Sequence, residues 1–186
     1  MRKFLSWLWL VSLFPVLVYH FDKGGEKQMK RERAWGRLQE IHALEQQPEV
    51  DWTAVTNGYR QLIDVYLPAD EDPLVVYQTR LAIAKAQQAA LDIGGSIDTL
   101  RALLTEVSDK YGDDAPITRA VRESLGKSHY LAARILKQAM APDEEWLPHA
   151  ERARQIFRYL AEHRNPAAFQ RYEHKVAATM KRMAAE

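Results

Sequence analysis

Cysteine is missing from this chain of 186 residues. That absence removes disulfide bonds, thiolate metal sites, iron–sulfur clusters, covalently attached haem, a cysteine nucleophile and a lipid anchor on a processed cysteine. Net charge is nearly missing too, because 26 Lys and Arg stand against 25 Asp and Glu and leave a formal +1. A nucleic-acid binder needs clustered basic excess to displace phosphate counterions, so that class is excluded. The alternating apolar pattern of strands is almost absent as well. What remains is helical periodicity and a single long apolar run.

That run opens the chain. Arg2 and Lys3 precede FLSWLWLVSLFPVLVYHF, eighteen residues with no Asp, Glu, Lys or Arg. At about 1.5 Å per residue it spans roughly 27 Å, close to the roughly 30 Å of bilayer hydrocarbon. Leu5, Trp7, Leu8, Trp9, Leu10, Leu13, Phe14 and Leu17 are the expected anchor residues. A cleaved signal peptide would end in small residues, whereas this run leaves through Val18, Tyr19, His20 and Phe21. The expectation is therefore an uncleaved transmembrane signal-anchor over 1–21, in which Pro15 is tolerated if its freed carbonyl finds a partner. The expected partner on this side is membrane lipid.

Arg2, Lys3 and the terminal amine favour a cytoplasmic start, while Lys23, Lys27, Lys30, Arg31 and Arg33 pull the other way. A basic start abutting an apolar run is what export machinery accepts. The sequence thus predicts a single-pass inner-membrane protein with a periplasmic soluble domain; a cytoplasmic domain is the alternative, with 23–33 then against anionic headgroups.

Beyond the anchor, 22–50 reads as a juxtamembrane linker with Gly24 and Gly25 and a first helix, roughly Glu26 to Gln47, stopped by Pro48. Residues 51–186 read as a helical-hairpin repeat domain. Asp51 is a candidate N-cap for a helix through Val55, Tyr59, Leu62 and Tyr66. Asp72 before Pro73 starts another, because proline lacks only an N–H that the first turn does not use. This helix is expected to reach Leu91 and close at Gly94 and Gly95, with Ser96 opening the next. Asp114 and Pro116, Asp143, and Asn165 with Pro166 are the remaining starts. The predicted class is all-α.

Three helix starts pair Asp or Asn with a proline, and a second helix follows each. Amphipathic pairs of this kind bury their stripes only by stacking on neighbours. Ala153-x3-Phe157-x2-Leu160 before Asn165-Pro166, the Leu100, Leu104 and Val107 spacing, and Leu125-Gly126 with Tyr130 resemble the tetratricopeptide-repeat group over residues 51–186. The prolines at 73, 116 and 166 stand farther apart than that group's period of about 34 residues. The resemblance implies a protein-binding concave surface, with no catalysis, cofactor, metal or small-molecule substrate.

Other motifs read as structural. Gly126-Lys127-Ser128 resembles the end of a P-loop, but Val121 stands where that motif needs glycine and no strand precedes it. Glu123-Ser124 resembles the Glu-Ser pair of lytic transglycosylases without their glycine-rich follow-up, which makes a cell-envelope enzyme one alternative. Glu145 and His149 share a helical face at i and i+4, yet a metal site needs three or four ligands and Pro148 lies between them. Asp70–Asp72, Asp113, Asp114 and Asp143–Glu145 fit helix starts, where negative charge complements the dipole.

The function expected from these features is a membrane-anchored helical adaptor for a protein partner, serving as an accessory or assembly factor of a membrane-associated complex. A single-pass structural subunit, with Trp7, Trp9 and Pro15 packed inside a larger assembly, is the second alternative. Trp35, Trp52, Trp146, Phe157 and Phe169 are expected mainly in the core, with one or two left to line a groove. Trp146, Arg134, Arg154, Arg158 and Tyr172 are the candidate partner-binding residues, since Trp, Tyr and Arg concentrate interface energy.

Overall fold

The computed structural model describes residues 28–67, 71–163, 174 and 176–178. Every regular element among them is a helix. Residues 28–45 form α1. Helix α2 is Trp52–Gln61 and runs into a π-helical turn, Leu62–Tyr66, closed by the Leu67 N–H on the Leu62 carbonyl at 2.9 Å. Then come α3 (Pro73–Ala89), α4 (Ile93–Tyr111), α5 (Pro116–Gln138) and α6 (Asp143–Glu162). Helical backbone returns at 174 and 176–178. The expected anchor over 1–21 and Tyr172 lie outside the described residues, and no described helix is long and apolar enough to cross a membrane.

Side-chain chemistry explains the starts. Asp51 accepts the Ala54 N–H at 3.0 Å and Asp72 accepts that of Leu74 at 2.9 Å, with Pro73 in the first turn. Two expectations need correction. Helix α3 does not run to Leu91 and Gly94–Gly95 do not close it, because Leu91 itself takes the left-handed position at φ 63°. The Asp92 N–H then reaches the Gln87 carbonyl and the Leu91 N–H that of Gln88, which completes a Schellman closure without glycine. Asp92 next caps Gly95 N–H at 3.0 Å, so both glycines belong to the first turn of α4. A Cβ on Gly95 would run into the Asp92 carboxylate. The α5–α6 turn repeats this closure on Met140, at φ 58°. Before α5 the cap position is Ala115 rather than Asp114, while Asp113 takes hydrogen bonds from Ser108 and Arg122.

Successive helices run antiparallel. Arg80 meets Glu106 while Gln87 meets Thr99 across α3 and α4; Thr118 bonds Val107 while Ser128 meets Ser96 across α4 and α5. Arg122 lies against Tyr159 and His129 against His149 across α5 and α6. Beyond these sequential neighbours, α3 also touches α5.

Apolar burial follows the same order. Ala34 and Ile41 of α1 join Val55, Tyr59, Leu62, Ile83 and Ala86, so the first helix shares a core with α2 and α3. A central cluster built around Leu100, Leu103, Val107 and Val121 joins α3, α4 and α5. Ala153, Phe157 and Leu160 pack with Val176, and Trp146 packs with Ala133 and Ala150. One buried polar junction crosses three helices: the Gln88 amide donates to Ser128 Oγ at 2.6 Å, and Ser96 Oγ lies 3.0 Å from that same oxygen.

Candidate functional site

The residues singled out for partner binding do not converge. Trp146 is only 2% exposed; its indole N–H donates to Asp143 at 3.0 Å and Lys137 Nζ covers its ring at 4.8 Å. A tryptophan so enclosed offers no face to a partner. Arg154 makes a two-pronged contact with Glu151, whose carboxyl this pair holds at about 2, and Arg158 lies 3.5 Å from Glu162. Arg134 is exposed on α5.

The P-loop-like triplet is helix interior. Gly126 sits where α6 comes closest, since a Cβ there would stand 2.9 Å from Ile156 and 3.1 Å from the Phe157 ring. Glu123 ion-pairs with Lys127 at 2.6 Å beside a shallow cavity of about 200 Å³ between α3 and α5. The i, i+4 pair of Glu145 and His149 is not the contact that forms. His149 instead places Nδ1 2.9 Å from Nδ1 of His129, and Glu145 faces solvent. Among the described residues no cluster of three or more His, Cys, Asp or Glu is arranged to hold a metal.

The feature most like a binding site lies at the other end of the chain. Helices α1, α2 and α3 enclose an open apolar groove of about 410 Å³, within the roughly 300–1,000 Å³ typical of ligand sites. Helix α1 has two apolar sides. Ala34 and Ile41 turn into the core, while Trp35, Leu38 and His42, at i, i+3 and i+7, form one wall of the groove. The opposite wall comes from Val75, Gln78, Thr79 and Ala82 of α3, and the floor from Tyr59 and Leu62. Arg31 and Glu71 pair at 3.1 Å across the end where α1 begins.

Trp35 is 62% exposed in this position, the reverse of Trp146. The floor is held firmly, because the Tyr59 hydroxyl donates to Glu45 at 3.0 Å and burial, reinforced by that carboxylate, pushes its ionisation far above the ordinary phenol value. Thr79 satisfies its hydroxyl on the Val75 carbonyl, so at this position the wall offers a methyl rather than a free donor, and Gln78 is the polar side chain of that wall. Such a site has little to orient a polar substrate and much to cover an apolar helix face. The sequence signal for it was the offset of Trp35 by one residue from the Ala34–Ile41 stripe.

No known protein family matches the chain, and no curated protein or solved structure does either.

Proposed function

We propose that the protein is a membrane-anchored helical adaptor that docks a protein partner in the α1–α3 groove and serves as an accessory or assembly factor of a membrane-associated complex. In this reading the leader over 1–21 spans the inner membrane, the helical domain lies on the periplasmic side, and the stacked pairs form a tetratricopeptide-like array. The observation that carries it is Trp35, a large aromatic left open at the rim of an apolar groove. Exposed apolar concavities of this kind mark interaction sites, and tryptophan is among the residues that dominate interface energy. The antiparallel packing of α5 on α6 through Gly126, Phe157 and Ala153 supports the hairpin reading. Tethering supplies the rest, since it concentrates the groove near partners in the same membrane.

The test is recovery of partners from detergent extracts with full-length wild type and with Trp35→Ala. The exposed substitution is expected to leave stability within about 0.5 kcal/mol. It is expected to weaken capture by about 2 kcal/mol, roughly thirtyfold. Equal capture by both chains overturns the assignment of the groove. Exchanging residues 1–21 for an unrelated anchor separates the adaptor, which keeps its function, from a subunit packed through its membrane helix, which loses it.

A further inference from the structure

The two cavities meet on one face of α3. Val75, Gln78 and Ala82 line the α1–α3 groove, and Lys85, three positions past Ala82, lines the recess of about 200 Å³ between α3 and α5. These four follow one another in steps of three, four and three, a single stripe along the helix. Leu81 and Ala84 of the same helix turn into the core instead. On the facing wall Trp35, Leu38 and His42 repeat the step of three and four. Two such ridges, on helices that point the same way, leave a seat for a third helix.

Charge along that seat is uneven. At the end where α1 begins, Arg31 and Glu71 neutralise each other. The middle is apolar except for the exposed polar side chains His42 and Gln78. Beyond Ala82 the recess carries two ammonium groups, Lys85 and Lys127, against the one carboxylate of Glu123. Glu123 is paired with Lys127 at 2.6 Å, while Lys85 is exposed and has no ion-pair partner among the described residues. One positive charge is therefore left over, ten residues or about 15 Å along α3 from Val75.

We infer that the partner taken by the groove is an acidic amphipathic helix. Its apolar stripe lies against Trp35, Leu38, Val75 and Ala82, and an aspartate or glutamate roughly three turns past the Val75 contact reaches Lys85 in the recess. This inference rests on the adaptor reading and names the chemistry of the partner. A helix suits the seat better than a lipid chain does, because its polar flank meets Gln78 and His42, which an acyl chain leaves unsatisfied.

The test selects from a phage-displayed library of random peptides on the full-length protein in detergent micelles. Enriched sequences are expected to carry large apolar residues at i, i+3 or i+4, and i+7, with Asp or Glu beyond them. Enrichment without an acidic bias, or no enrichment, overturns the inference. One enriched acidic peptide is then labelled and titrated by fluorescence anisotropy against variants. Lys85→Glu is expected to weaken it about tenfold and to favour the same peptide with lysines in place of its acids. Glu123→Gln removes the one carboxylate lining the recess and is expected to tighten the acidic peptide severalfold, a gain that a damaged fold does not produce. Unchanged affinity in both variants overturns the inference. Trp35→Ala separates the two readings. A peptide weakened by Trp35→Ala and indifferent to both recess variants keeps the groove and loses the acidic partner, whereas one sensitive to the recess variants and indifferent to Trp35→Ala keeps the recess and loses the groove. If monomeric dihexanoylphosphatidylglycerol binds with the same dependence on Lys85 and no peptide is enriched, the recess holds a lipid headgroup and the inference falls.

Discussion

Gly126 illustrates how a residue with a suggestive motif around it acts through volume. It has no partner to bind and no backbone strain; its missing side chain is what lets α5 approach Ile156 and the buried Phe157. In an open helix Gly→Ala gains roughly 1 kcal/mol of propensity. Here the added methyl must displace a packed ring, and overpacking of that kind costs about 1–3 kcal/mol. Gly126→Ala is therefore expected to lower stability by about 1 kcal/mol net, read as a fall in the urea midpoint at unchanged slope.

The two tryptophans show the limit of sequence at this scale. Trp35 and Trp146 both fall beside apolar stripes, and periodicity cannot say which flank of an amphipathic helix meets a neighbour. Burial of Trp146 depends on Ala133 and Ala150 being small enough to admit it from two helices. Exposure of Trp35 depends on α3 lying one groove away. Both are tertiary facts.

At the scale of the element, the α5–α6 pair has a histidine contact at its centre. His129 is 2% exposed, and its Nδ1 meets that of His149, so one ring donates and the other accepts while both are neutral. The charged groups acting on His129 are all positive or become so: His149 and Arg152 from α6, and Arg101 from α4. Burial first, and these groups after it, push His129 down to about 4, and burial lowers His149 as well. Since the folded value lies below the ordinary 6.5, the unfolded chain takes up its proton first as pH falls. Stability is full above about pH 6.5, declines between 6.5 and about 4, and is level below that. Allowing for the partly exposed His149 side, the loss is on the order of 1–2 kcal/mol. Thermal melts at pH 7 and pH 4.5 should show this decline in the wild type and a smaller one in His129→Gln; equal declines count against the histidine pair as its source.

Element boundaries were legible where the chemistry is local. Asp51, and Asp72 with Pro73, need only their own side chains to start a helix, and both do so. The α3–α4 turn was not legible, because a left-handed Leu91 stands where glycine is expected, and the nearby glycines serve the close approach to Asp92 and Gln87 instead. The histidine contact was hidden for another reason: twenty residues separate His129 from His149, and only the α5–α6 register brings them together.

For the whole molecule, the central cluster is what joins the two ends. Leu100 and Leu103 are fully buried on α4, between α3 and α5, beside the Gln88, Ser96 and Ser128 junction that fixes how these helices slide. Leu100→Ala removes a side chain with neighbours on both sides and should cost about 2–5 kcal/mol. If the array unfolds as one unit, circular dichroism of the whole chain and fluorescence reporting on the Trp146 region should move to the same lower midpoint. Separate midpoints would show the two ends to be uncoupled.

Because each helix packs chiefly on the one before it, sequence separation between contacting residues stays short, and the search for the native topology is correspondingly brief. The first core needs nothing beyond Ala86 to close. A chain emerging from the ribosome or a secretion channel can thus complete its layers in order of synthesis, each finished layer templating the next.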